Sequence, residues 1–190
     1  MATLTARHHE RTSPSLLDRL TDDDPTERRD PEHRRQATVK QLRDSVMRDL
    51  GWLLNCVRLS TVQDLAAYPN VRRSVLNFGL PDLAGRTVSS IDTDELERQL
   101  RQAIVEFEPR LIERSLEVSV ARADGTGDAG RRADGIRAAQ DTHPNCLQFT
   151  INAELNVQPV PVALRLRTEI DLENGDVSIA EWDRDRATAP

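Results

Sequence analysis

The chain has 190 residues, a length that fits one domain or one domain with tails. Aromatic residues make up only 3%, which argues against a large aromatic-lined ligand pocket. The net charge of −6 offers no basic surface to nucleic acid, and no apolar run is long enough for a membrane helix, so we expect neither partner.

Residues 1–35 are polar and charged and contain three prolines, so we expect a disordered arm. Within this arm, the stretch "SLLDRL" places Leu16, Leu17 and Leu20 at helical spacing. Three leucines favour a short docking helix near residues 15–20 that binds a partner. A frayed tail is the alternative interpretation.

The first long helix is predicted over about residues 36–59, because apolar side chains recur there at three- and four-residue steps. Gly51 interrupts this pattern, and we expect a closely packed neighbour to explain it. Cys56 lies in the same apolar stretch and is interpreted as a small buried hydrophobe. The apolar positions are Val39, Leu42, Val46, Leu50, Leu53 and Val57.

Residues 68–90 combine prolines and glycines with many apolar residues. This pattern predicts a short helical turn at 70–76, followed by an ordered loop folded against the core. The second main helix begins at Asp92, where Asp92 and Glu95 show the pattern of a capping box. Pro109 ends this helix, because a residue before proline is disfavoured in the α region.

From Arg110 onward the apolar period becomes two, which is typical of half-buried antiparallel strands. Asn174-Gly175 predicts a tight hairpin turn before the last strand. Residues 121–145, rich in glycine and charge, are interpreted as a flexible insertion at a hairpin tip. The inward positions predicted are Ile112, Leu116, Val118, Val120, Leu147, Phe149, Ile151, Ala153, Leu155, Val160, Val162, Leu164, Leu166, Thr168, Ile170, Leu172, Val177 and Ile179.

These elements predict an α+β fold, in which two main α-helices pack on one face of a small antiparallel β-sheet. The domain covers residues 36–185, between the flexible N-terminal arm and a short tail at 186–190. In the first strand Arg114 does not fit the alternation. Pro159 and Pro161 lie at the entrance of a strand, where they would limit an exposed edge.

The sequence contains no convincing catalytic or metal site, and we expect no cofactor. Its histidines lie in the arm and in loops, and "GTGDAG" lacks the GK[ST] ending of a phosphate-binding loop. Glu106 and Glu108 raise glycoside hydrolysis, which needs two carboxylates on opposite sides of a sugar. Neighbouring glutamates at a helix end do not supply that geometry, so a peptidoglycan hydrolase is retained only as the alternative.

Glu108, Pro109 and Arg110 meet where the helical period gives way to the strand period. A carboxylate at a helix C-terminus is disfavoured by the helix dipole, so its placement there needs a reason. One interpretation is a helix stop with an internal ion pair between Glu108 and Arg110. The other is a recognition clamp, in which Arg110 offers its planar guanidinium to a partner and Glu108 accepts hydrogen bonds.

The order of four stretches resembles the TssE family of type VI secretion baseplate subunits. The stretches are "PSLLDRLTDDDP", "SVMRDLGWLLNC", "YPNVRRSVLNFGLPDLAG" and "FEPRL", followed by the strands, and together they span most of residues 14–180. This family is related to a small baseplate-wedge protein of contractile phages that carries a lysozyme-like label. The insertion at 121–145 is longer than the family pattern needs.

The resemblance implies a cytoplasmic, non-enzymatic assembly protein in a baseplate docked at the inner-membrane complex. Its implied partners are the wedge proteins TssF and TssG, with TssK as a further candidate, and the sheath proteins TssB and TssC, for which the strands would act as a template. The implied partner-binding motif is Glu108-Pro109-Arg110, while the docking role of the arm leucines is predicted separately from their spacing. A generic adaptor without sheath contact is a further alternative.

Overall fold

A computed structural model describes residues 15–21, 38–121 and 145–182. Most of the predicted arm, the insertion and the tail lie outside these residues. The helices are α1 (Leu16–Leu20), α2 (Val39–Leu54), α3 (Pro69–Arg72) and α4 (Thr93–Phe107). The strands are β1 (Glu117–Val120), β2 (Cys146–Leu155), β3 (Val162–Asp171) and β4 (Val177–Glu181). None of the helices in these ranges is long and apolar enough to cross a lipid bilayer.

The four strands form one antiparallel sheet in the order β1-β2-β3-β4, which confirms the predicted α+β class. In β2 every second side chain, from Leu147 to Leu155, is buried. These side chains share one core with the apolar faces of α2 and α4, so the two main helices cover the same face of the sheet. Side chains alternate across a strand, which is why the period of two located this buried face correctly.

Helix α2 begins with a capping box, in which Thr38 and Gln41 exchange side-chain and backbone hydrogen bonds. It ends at Leu54, so the predicted extension to residue 59 is wrong. The side chain of Asn55 donates to the Gly51 carbonyl at 2.8 Å and ends the helix there. Because the chain has left the helix, Cys56 is exposed, and its interpretation as a buried hydrophobe is also wrong.

Gly51 lies within α2 without a close neighbour. A Cβ atom built on Gly51 meets no heavy atom within 4 Å, so the expected tight packing at this glycine is wrong. The glycine therefore carries its backbone entropy cost with no packing benefit within the chain.

We therefore expect Gly51→Ala to raise the free energy of unfolding by about 1 kcal/mol, since alanine has the higher helix propensity. Chemical denaturation of both proteins measures this difference. Gly85→Ala is the control, because Gly85 also has open space around its Cβ but adopts a φ of +73°, where alanine is strained. A lower stability for Gly51→Ala would contradict the open surroundings of this position.

The segment between α2 and α4 is ordered, as predicted, but its helical part is divided. Helix α3 and a 3₁₀ turn at Val75–Asn77 replace the single turn expected at 70–76. Leu80 pairs with Val57 in an isolated bridge and is buried, as is Leu83. By contrast, Val75 and Leu76 are 78% and 65% exposed, so the apolar content of this segment only partly enters the core.

Strand β1 is shorter than predicted. Helix α4 starts after Asp92, whose side chain accepts from the amides of Asp94 and Glu95, and it ends at Phe107 as expected. A 3₁₀ turn at Glu113–Ser115 then delays the strand until Glu117. Because of this turn, the residues before it do not continue the inward–outward alternation of β1, and Leu111 is buried in place of Ile112. Arg114 does not fit the alternation because it lies in the turn.

Two expectations near β3 also change. Val160 is 67% exposed in the connection before the strand, so its inward assignment is wrong. Pro159 and Pro161 lie in that connection, but β3 is flanked by β2 and β4, so the edge strands are β1 and β4. The hairpin at Gly175 is confirmed; however, residues 172–175 form a longer loop than a two-residue turn, closed by a 2.9 Å hydrogen bond between Asp171 and Asp176.

Candidate functional site

The backbone around Pro109 is held on both sides. The Glu108 amide donates to Ile104 at 2.8 Å and completes the last turn of α4. Beyond the proline, the Asn156 amide donates to the Arg110 carbonyl, also at 2.8 Å, and ties the chain to the end of β2. The junction is therefore rigid, and Pro109 itself is exposed at its surface.

The side chains of Glu108 and Arg110 form the internal ion pair that the first interpretation expected. The Arg110 Nε donates to Glu108 Oε1 at 2.6 Å, and Nη2 donates to Oε2. The Arg110 backbone amide adds a third hydrogen bond to Oε1 at 3.2 Å. Glu108 is only 2% exposed, so this pairing compensates a buried carboxylate.

Arg110 also reaches across to α2. Its Nη2 donates to Asp49 Oδ2 at 2.6 Å, and its Nη1 donates to the hydroxyl of the buried Ser45 at 3.2 Å. Burial alone would lower the pKa of Arg110, but the hydrogen bonds and charges of Glu108 and Asp49 raise it. Most of the guanidinium is thus engaged within the chain, where it joins the α4–β1 junction to α2.

A chain of charges continues from this cluster to α1. Arg48 donates to Asp49 at 2.9 Å and to Asp18 at 2.6 Å, and its guanidinium lies 5.2 Å from the centre of the Trp52 ring. Burial would raise the pKa of Asp18, but hydrogen bonds from Ser15 and Arg48 lower it. Helix α1 therefore contacts α2 through polar groups.

An open groove of about 320 Å³ lies between α1 and the junction. It combines apolar side chains with the charged cluster, and its lining includes Leu16, Leu17, Trp52, Asp49, Glu108 and Arg110. Four of the six predicted partner-binding residues thus meet at one groove. The other two, Leu20 and Pro109, are exposed but do not line it.

The α2 side of this site was not predicted from the sequence. Ser45, Arg48, Asp49 and Trp52 recur at three- and four-residue steps along α2, so they share one edge of the helix. This spacing was the available signal. However, polar residues on a helix surface are usually solvated, and only the fold places these beside the junction.

A comparison with known families gives a match to the model for the baseplate wedge protein gp25, over residues 40–160. The matched range includes α2 from its second residue, α4, the Glu108-Pro109-Arg110 junction and the first two strands. No curated protein and no solved structure matches the chain significantly.

Proposed function

Because this chain belongs to the baseplate wedge protein gp25 family, we propose that it is a TssE-like structural subunit of a type VI secretion baseplate. In this role it joins a wedge of TssF and TssG, with TssK as a further candidate partner, to a contractile sheath of TssB and TssC. It acts in the cytoplasm, where the baseplate docks at the inner-membrane complex. The family match across the helices and the first two strands carries the proposal.

The groove and the adjacent exposed face of α1 support a contact with the wedge. Leu16 and Leu20 are 70% and 74% exposed, and Trp52 is 52% exposed. Apolar side chains of this size gain free energy when a partner covers them, roughly 1.5–3 kcal/mol for each that becomes fully buried. The nearby charges of Arg48 and Asp49 would orient a partner segment in the groove.

The sheet supports a contact with the sheath. Strand β4 lies at the edge of the sheet, and an edge strand presents backbone N–H and C=O groups to an additional strand. An extended segment of a sheath protein would continue the sheet there through main-chain hydrogen bonds. We therefore place the sheath template at an edge of this sheet.

The geometry of Glu108 favours the structural role over peptidoglycan hydrolysis. A glycosidase acid must reach the leaving oxygen of its sugar from one side of the bond. Glu108 is buried, and both of its carboxylate oxygens accept hydrogen bonds from Arg110. We expect the purified protein to release no soluble fragments from cell-wall peptidoglycan, and release that disappears in Glu108→Gln would restore the enzyme hypothesis.

The wedge contact is tested with the double variant Leu16→Asp and Leu20→Asp. We expect this variant to lose retention of co-expressed TssF and TssG in a pull-down, because charges replace the apolar contact. Its thermal midpoint should match that of the wild type, since both leucines are exposed.

The control is Val62→Asp combined with Val75→Asp. These residues are 76% and 78% exposed but belong to the segment between α2 and α4. The control should retain TssF and TssG. A large fall in midpoint for the leucine variant would instead mean that α1 is part of the core, and unchanged retention would contradict the wedge contact.

A further inference from the structure

Strand β4 has a defined outward set of backbone groups. The Asp171 amide donates to the Asp176 carbonyl, and the Trp182 amide donates to the Arg165 carbonyl, both at 2.9 Å. In an antiparallel pair, residues that exchange hydrogen bonds alternate with residues whose backbone groups face away. The N–H and C=O of Val177, Ile179 and Glu181 therefore point away from β3, toward the edge of the sheet.

One of these outward positions is already occupied by a side chain. The Asn55 Oδ1 accepts from the Val177 amide at 2.8 Å, and its Nδ2 donates to the Val177 carbonyl at 2.9 Å. A residue of a neighbouring strand makes the same pair of hydrogen bonds. The Asn55 amide thus takes the place that an added strand would use at Val177.

Helix α2, which Asn55 caps, also contacts the other end of the β4 edge, near Glu181. The Arg43 Nη2 donates to the Ala163 carbonyl at 3.0 Å, on the part of β3 that extends past β4. Its Nη1 pairs with Glu181 Oε1 at 2.8 Å. Helix α2 and its C-cap residue Asn55 therefore contact both ends of β4, and the backbone groups of Ile179 lie between these contacts.

The opposite edge of the sheet is also contacted by a side chain. Strand β1 spans only Glu117–Val120, and the amide of Val120 donates to Glu97 Oε1 of α4 at 2.8 Å. Helix α4 therefore supplies a side-chain acceptor to β1, just as Asn55 supplies an amide to β4. The difference is that Asn55 satisfies both the donor and the acceptor of one residue.

We propose that Asn55 is an end stop for strand addition at β4. This proposal rests on the proposed sheath contact and names the edge and the residue that regulate it. With Asn55 in place, an extended strand pairs at Ile179 and Glu181, and it reaches Val177 only by displacing the Asn55 amide. In the free subunit, the same contact limits pairing between the β4 strands of two copies, an association to which an open edge is prone.

The test compares Asn55→Ala with the matched variant Asn77→Ala. Asn77 also bridges two backbone groups, since it accepts from the Ser60 amide at 2.8 Å and donates to the Arg72 carbonyl at 2.9 Å. Neither of these hydrogen bonds involves β4. Asn55→Ala loses three side-chain hydrogen bonds to backbone, two to Val177 and one to the Gly51 carbonyl, and Asn77→Ala loses two, so a general loss of stability affects both.

The readouts are amide exchange at Val177, self-association of the full chain in sedimentation velocity, and affinity for purified TssB–TssC. For Asn55→Ala we expect faster exchange at Val177 and sheath affinity raised by about tenfold, because the incoming strand no longer displaces two hydrogen bonds. Asn77→Ala should match the wild type in all three. Where Asn55→Ala does not fold, Asn55→Asp replaces it, since it also lacks the donor to Val177.

An affinity for TssB–TssC that is unchanged or lower in Asn55→Ala would overturn the end stop. If the wild type and both variants fail to bind TssB–TssC, the proposed sheath contact itself fails. In that case, the self-association measurement by itself tests the role of Asn55. A dimer formed by Asn55→Ala but not by Asn77→Ala supports the end stop, and monomers in both overturn it.

Discussion

Replacing Arg110 with alanine is expected to lower the free energy of unfolding by about 3 kcal/mol, because it leaves a buried carboxylate without its partner. Glu108 is 2% exposed, and its carboxylate accepts two of its three hydrogen bonds from the Arg110 guanidinium. For a domain of this size, the loss corresponds to a fall of roughly 10 °C in thermal midpoint. Loss of partner binding in this variant therefore does not by itself identify a recognition clamp.

Thermal unfolding followed by circular dichroism measures this effect. Arg98→Ala is the matched control, because Arg98 pairs with Glu95 on the surface and its side chain is 71% exposed. Surface pairs contribute little, so the midpoint of the control should stay near that of the wild type. An unchanged midpoint for Arg110→Ala would show that water in the groove solvates the Glu108 carboxylate and replaces the lost hydrogen bonds of the guanidinium.

A double variant separates support of the fold from recognition of a partner. Glu108→Leu with Arg110→Met replaces a buried ion pair with apolar side chains, a change that is often neutral for stability. If this variant keeps its stability but no longer retains TssF and TssG in the pull-down, the Glu108–Arg110 pair recognises the wedge. If it retains them, Glu108 and Arg110 serve to hold the junction against α2.

Arg110→Lys tests the planar geometry of the guanidinium. Lysine keeps the positive charge but offers a single ammonium group, which cannot bond to Glu108, Asp49 and Ser45 in the same arrangement. We expect this variant to impair assembly with TssF and TssG. Normal assembly would contradict a role for the guanidinium fork.

Gly79→Ala is expected to destabilise the protein by about 4 kcal/mol, since strain and a steric clash act together. Gly79 adopts a φ of +122°, which L-residues rarely do. A Cβ there would lie 2.7 Å from the carbonyl carbon of Cys56, and closer still to its oxygen. That oxygen accepts the 2.8 Å hydrogen bond from Leu80, so the clash would separate the ordered segment from the end of α2.

Chemical denaturation of Gly79→Ala and Gly85→Ala distinguishes the two contributions. Gly85 also has a positive φ, but a Cβ on it meets no heavy atom within 4 Å. Its replacement should therefore show only the backbone strain, of order 1 kcal/mol. Equal losses in the two variants would mean that the contact with Cys56 adjusts without significant cost.

The elements with strong local signals could be predicted from the sequence. The Asp92 cap and the apolar face of α4 depend on residues a few positions apart, as do the alternating positions of β2. Helical and strand periods arise from backbone geometry that neighbouring residues share. The α+β class and the pairing of Glu108 with Arg110 could therefore be predicted without the fold, whereas the docking role of the arm leucines stays a prediction.

Where local signals conflicted, the tertiary structure decided. The turn at Glu113–Ser115 shifted the start of β1, and Asn55 ended α2 before its apolar pattern did. Asn55 bonds to Val177, a residue in a different element, so no local pattern contained this information. The sequence left the role of the end of α2 open, because that role depends on which strand the fold brings beside it.

The partners of the Glu108-Pro109-Arg110 motif illustrate the same division. By itself, the sequence determined that a carboxylate and a guanidinium meet at a rigid junction, because Pro109 restricts the backbone between them. Only the tertiary structure decided that Ser45 and Asp49 complete the hydrogen bonds of Arg110. These two residues lie 65 and 61 positions before Arg110 in the chain. The physical reason is that periodicity reports which face of an element is buried, whereas packing determines what that face meets.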